Sequence, residues 1–163
     1  MRKLIISLTA MFVIGGSALP LSAQEAQEVS TRFGVLSIDG DKRLLFKGQP
    51  LSPAVEGNNS LGLGEVTSIG PTDVVLVTNN GGIGCPVTYY VVSVSASGAK
   101  GTPLFGTCAE LTSMKRKGES IVLILPGFYG PAMSAAARRR AERQRHVFVY
   151  RAGVVTKNGK PVK

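Results

Sequence analysis

Apolar and polar positions follow a strand period most clearly between residues 73 and 110. Asp73-Val-Val-Leu-Val-Thr78 is an unbroken apolar run of strand length and predicts a strand buried on both faces. Val87-Thr-Tyr-Tyr-Val-Val-Ser-Val-Ser95 predicts a second strand, with Val92, Val94 and Ala96 on one face and Ser93 and Ser95 on the other. Tyr89 and Tyr90 are neighbours and point to opposite faces. One is therefore expected in the core, and the other as strand-edge cover or as a contact residue. A turn at 97–101 and the segment 102–108 follow. This stretch predicts a β-hairpin at the centre of a small β-rich domain.

Before it, residues 24–30 are polar and read as a loose lead-in. Residues 31–38 and 42–47, joined by Asp39-Gly40-Asp41, predict a hairpin in which Gly40 supplies the positive φ of a tight turn. Residues 48–60 read as loop, and 61–68 as a short strand ended by Gly70-Pro71. Asn79-Asn-Gly-Gly-Ile-Gly84 is glycine-rich. It lacks the Gly-Lys-Ser/Thr of a phosphate loop and no helix follows, so it is read as a connection between strands.

After the central stretch, Lys115-Arg-Lys-Gly118 reads as a basic turn, and residues 120–125 as an apolar strand stopped by Pro126-Gly127. A basic helix is expected at about 132–145, capped by Ser134 and built of alanine and arginine, both good helix formers. Residues 146–151, 154–157 and 161–162 predict a closing β-meander with turns at Ala152-Gly153 and Asn158-Gly159. The expected fold is mainly β, a small antiparallel sandwich or partly open barrel with one basic C-terminal helix.

Residues 1–23 have the pattern of a signal peptide. Arg2 and Lys3 precede an apolar core at 4–14, Gly15, Gly16 and Pro20 break it, and Ser22-Ala23 offers a small-residue cleavage site. The core falls short of the roughly 18 apolar residues that span a bilayer, so no transmembrane span is expected after cleavage. No cysteine stands near the expected cleavage site, between residues 15 and 27, so no lipid anchor is expected. The expectation is therefore a periplasmic or secreted protein whose residues 24–163 form a single domain. The chain's two cysteines, Cys85 and Cys108, are expected to pair in an oxidising compartment. There is no Cys-x-x-Cys, and the single histidine lies far away at 146, which argues against a redox or nucleophilic thiol.

Charge divides the chain. The full sequence carries 19 Lys+Arg against 10 Asp+Glu, a net +9. Residues 24–112 hold five basic and eight acidic side chains, whereas 113–163 hold twelve basic and two acidic. The candidate anion-binding residues are Lys115, Arg116, Lys117, Arg138, Arg139, Arg140, Arg143 and Arg145. Guanidinium groups fork onto phosphate and carboxylate oxygens, which suits an anionic partner. The apolar stripe of the helix (Met133, Ala137, Ala141) is too thin for insertion into a membrane.

The expected function is an exported, non-catalytic binding protein that recognises an anionic envelope component or an acidic protein through this helix. Cytoplasmic nucleic acid is disfavoured by the signal peptide. The alternatives are a structural, inhibitor-like or immunity-type envelope protein acting through the disulfide-bracketed hairpin, and, last, an enzyme. No catalytic residue, metal site or cofactor is expected. His146 sits where a helix-terminal cation or an ordinary strand residue belongs, and Asp39 and Asp41 occupy a turn that favours Asp for backbone reasons. The combination Cys85-Pro86, Tyr89-Tyr90 and Phe105-Gly-Thr-Cys108 resembles small exported proteins of Gram-negative bacteria with one disulfide. The likeness spans the middle of the chain and leaves out the arginine helix. It implies export and a disulfide, and carries no activity, ligand or site residue.

Overall fold

Every strand in the computed structural model, which describes residues 28–163, pairs antiparallel with a neighbour in sequence. The chain lays down three consecutive meanders. The first holds β1 (Glu28–Thr31), β2 (Gly34–Ile38), β3 (Leu44–Phe46) and β4 (Gln49–Pro50). The second holds β5 (Ser60–Ile69), β6 (Thr72–Asn80), β7 (Val87–Ser95) and β8 (Gly98–Gly101). The third has the order β13-β12-β11-β10-β9, from β9 (Ser113–Lys117), β10 (Ser120–Leu125), β11 (His146–Arg151), β12 (Val154–Lys157) and β13 (Lys160–Pro161). One helix, α1 (Ala135–Arg143), connects β10 to β11. The expected signal peptide lies outside the described residues.

The second sheet is the middle layer, as its valine runs require. Val75, Val77, Val92 and Val94 pack with Leu36 and Leu44 of the first sheet and with Leu51 and Val55 of the loop that follows it. From the opposite face, Val74, Tyr89 and Val91 pack with Ile121, Leu123, Leu125, Phe148 and Tyr150 of the third sheet. Two cores thus share one sheet, and each fully buried valine or leucine contributes about 1.5–3 kcal/mol of transfer free energy. Phe105 joins the second core by pairing with Tyr89 (N–H to carbonyl 2.7 and 2.9 Å) and packing against Phe148 at 5.2 Å between ring centroids. The mainly β antiparallel fold with one helix is as expected, and the sheets do not close into a barrel.

Several boundaries move. The polar lead-in continues into a strand, because 28–31 pairs with 34–37 across a turn at Arg32-Phe33 and splits the single strand expected at 31–38. Short strand β4 lies in the stretch expected to be loop, and β5 is longer than 61–68. In the first predicted hairpin, positive φ falls on Lys42 (63°), not on Gly40. The turn is made by the Asp39 carboxylate, which accepts the N–H groups of Asp41 (3.0 Å) and Arg43 (2.9 Å). The basic turn at 115–118 is instead strand β9, with the turn at Gly118-Glu119. The helix is shorter than 132–145 and leaves Arg145 beyond its end.

One buried carboxylate ties the first layer to the second. Asp73, on β6, is 1 % exposed and accepts Arg32 N–H (2.7 Å), Arg32 Nε (2.8 Å) and the Ser68 hydroxyl (2.7 Å). Burial pushes its pKa up, but these three donors and the Arg32 charge outweigh burial and hold it below the usual carboxylate value. A depressed folded pKa contributes stability that is complete above pH of about 4 and is lost as pH falls through the folded value. Asp73→Asn is expected to cost about 2 kcal/mol at pH 7 in urea unfolding. That lies below the range for fully buried pairs because Arg32 stays 48 % exposed. The gap between parent and variant should close as pH is lowered below about 4. A gap of the same size at pH 2.5 and pH 7 would refute the ionic assignment.

Candidate functional site

The helix forms where alanine and arginine follow a capping serine. Ser134 is extended, and its hydroxyl accepts the Ala137 N–H at 3.3 Å. At the other end Gln144 leaves the helical conformation, and its N–H returns to the Ala141 carbonyl (3.0 Å). The same carbonyl accepts Gly127 N–H at 2.9 Å, which docks the helix end onto the chain leaving β10. A Cβ at position 127 would collide with Gln144 Oε1 and the Ala141 carbonyl, so glycine is what allows this approach. Ala141 is the one helical residue that is buried.

All five arginines of the 138–145 stretch are exposed, and among the described residues none lies within ion-pairing distance of a carboxylate. With 3.6 residues per turn, Arg139 and Arg143 share the face opposite Ala141, with Arg140 beside them. Arg143 Nε also donates to the Arg139 carbonyl at 3.0 Å, and Arg138 lies 5.0 Å over the Tyr129 ring. Arg140 and Arg143, in the last turn, are placed favourably for the helix dipole.

The remaining candidates stand elsewhere. Register pairs Lys117 with Ser120 and Ser120 with Arg151, whereas the helix leaves from the end where Leu125 faces His146. Lys117 and the helix are thus separated by the length of a six-residue strand, about 17 Å. Lys115, Arg116 and Lys117 are exposed on an edge strand, where charges also discourage pairing with another chain. The eight basic candidates therefore form two groups, not one.

Cys85 and Cys108 are bonded, with Cα atoms 4.6 Å apart. The bridge closes the β7–β8 hairpin together with the segment that returns through Phe105 beside Tyr89; it does not close the β6–β7 hairpin. Tyr89 is the core tyrosine, its hydroxyl accepting Leu111 N–H at 2.8 Å, and Tyr90 is half-buried against the first core. In the glycine-rich loop, Gly81 N–H donates to the Pro86 carbonyl (2.7 Å) and Cys85 N–H to the Gly82 carbonyl (3.1 Å). These two donors serve the loop itself, as expected of a connection, and Ile83 at its tip is 82 % exposed.

No acid–base pair forms at Asp39 and Asp41. Arg43 clamps both carboxylates, Asp39 at 2.9 Å and Asp41 at 3.0 Å, and its backbone N–H does most to hold Asp39 below the usual carboxylate value. His146 is half-buried at the start of β11, with Nε2 3.3 Å from Gln144 Oε1. Burial first, then the Lys157 charge, lowers its pKa, so it is neutral at pH 7 and is a strand residue, not a helix-terminal cation. Among the described residues no group of His, Cys, Asp and Glu could hold a metal ion, and no helix is long and apolar enough to cross a membrane.

Sequence reasoning also missed a cleft of about 400 Å³ between the second and third sheets at their Ser95 and Arg151 ends. Its signal was present in β7, where the face carrying Val87, Tyr89 and Val91 continues as Ser93 and Ser95. Compared with known proteins, the chain matches no family model, no curated protein and no solved structure.

Proposed function

We propose that the protein is an exported, non-catalytic binding domain that holds an anionic component of the cell envelope against the arginine face of α1. The observation that carries this reading is a docked helix whose five neighbouring arginines are all exposed and have no carboxylate partner among the described residues. Like charges three and four residues apart, such as Arg140 and Arg143 or Arg139 and Arg143, each cost a helix about 0.2–0.5 kcal/mol. An anion spanning them removes that cost and gains forked hydrogen bonds. Export rests on the signal-peptide pattern of residues 1–23 and agrees with the disulfide, because such bonds persist in oxidising compartments.

Retention on anionic lipid vesicles, lipopolysaccharide and heparin across a salt series tests this. One of these surfaces is expected to hold the protein far more tightly than the others, with retention falling steeply as salt rises. Weak retention that is equal on all three would mean bulk charge and sink the proposal. It would favour a second reading, an interaction module acting through the disulfide-anchored loop, for which the exposed Ile83 side chain is the specific observation.

A further inference from the structure

The cleft between the second and third sheets is built unlike the rest of their interface. Along β7 the inward positions are Val87, Tyr89 and Val91, then Ser93 and Ser95. Register places Lys100 of β8 directly opposite Ser93, and Thr72 begins β6 on the same face. One wall is therefore a row of hydroxyls with an ammonium at its edge. The floor is apolar, from Ile69 and Val74, and the far rim is the Arg151–Gly153 turn. The Arg151 guanidinium there is 70 % exposed and 3.8 Å from the Glu119 carboxylate, too long for a firm bond.

Tyr150 is the informative residue. It lines this cleft and is only 3 % exposed, yet its hydroxyl has no hydrogen-bond partner among the described residues. No side-chain polar atom among those residues is both sealed from solvent and unpaired, so this hydroxyl reaches solvent, and the cleft is where it does so. A bound hydrogen-bonding group would take the place of the water that this hydroxyl meets in the cleft. The Ser93 hydroxyl donates to the Lys100 carbonyl (3.3 Å), and Ser95 and Ser97 share a 2.8 Å bond, which fixes the hydroxyl row in place and leaves lone pairs free to accept.

We infer that this cleft is a binding site for a small acidic saccharide. Serine and threonine hydroxyls with Tyr150 would meet the sugar hydroxyls, the apolar floor would meet the ring, and Lys100 with Arg151 would hold one carboxylate or phosphate. Its volume is at the small end of the range for ligand sites and suits one or two sugar units. The site stands at the opposite end of the third sheet from α1, and the inference does not rest on the arginine helix.

The test is titration of the intact oxidised protein, followed by amide NMR, with D-glucuronate, glucose 6-phosphate, glucose and inorganic phosphate. The carboxylated or the phosphorylated sugar, or both, should shift Thr72, Ser93, Ser95 and Tyr150, and the pair separates the two acid groups. Glucose and phosphate alone should bind at least about tenfold more weakly, since each lacks one half of the recognition. Tyr150→Phe and Lys100→Met should each weaken binding about tenfold with thermal stability unchanged, and neutralising the helix arginines should leave it unchanged. Shifts confined to α1 and β9, equal response to all four probes, or parent-like binding by both variants would overturn the site.

Discussion

The combined substitutions Arg138→Gln, Arg139→Gln, Arg140→Gln and Arg143→Gln are expected to cut retention on the preferred anionic surface by on the order of 100-fold at low salt. Each cation held near an anionic surface contributes about 1 kcal/mol, so four removed charges approach 4 kcal/mol before Arg145 and the β9 lysines supply residual attraction. The salt dependence should flatten in parallel, because fewer screened contacts remain. Folding should be nearly untouched. None of the four arginines has an ion pair to lose among the described residues, glutamine is a good helix former, and relief of like-charge repulsion offsets the lost contact between Arg138 and Tyr129. Retention measured beside a melting curve checks both halves. Parent-like retention by the variant would remove α1 from the proposed function, whichever surface the protein prefers.

Loss of the disulfide is expected to have the largest effect on stability. Cys85 and Cys108 are 23 residues apart, and closing a loop of that size removes about 3.5 kcal/mol of unfolded-state entropy. The double substitution Cys85→Ser, Cys108→Ser should lower urea-unfolding stability by about that amount, and reductant should destabilise the parent but not the variant. The bond also has a local task. It anchors the return segment that carries Phe105, which otherwise holds by its two backbone bonds to Tyr89 and by the Thr107 hydroxyl on the Pro126 carbonyl (2.7 Å). A loss below about 1 kcal/mol would show that those contacts suffice without the bridge.

The central sheet was legible because its residues obey their local pattern. The Val-Val-Leu-Val run announced burial on both faces, and both faces are buried. Ser134 with the alanines and arginines announced the helix, and the two cysteines announced their bond. What the pattern hid depends on distant partners. Strand β1 is polar and half-exposed, so nothing in residues 28–30 declares a strand until β2 pairs with it. Lys115, Arg116 and Lys117 look like a turn because an edge strand can be charged on both sides. The Arg32–Asp73 link spans 41 residues, which no periodicity reports. The serine face of β7 was visible as polar, but only the packing of the third sheet shows that it faces inward and opens a cleft.

The middle layer has a consequence for how the molecule comes apart. Peeling off the first sheet would strand Val75, Val77, Val92 and Val94 in water, and peeling off the third would strand Val74, Tyr89 and Val91. Either outer layer, on leaving, uncovers one apolar face of the sheet that the other layer packs against, which destabilises the two layers that remain. Unfolding is therefore expected to be cooperative, with the amides of β6 and β7 among the last to exchange their protons and α1, whose one buried residue is Ala141, exchanging before them in an amide hydrogen-exchange experiment.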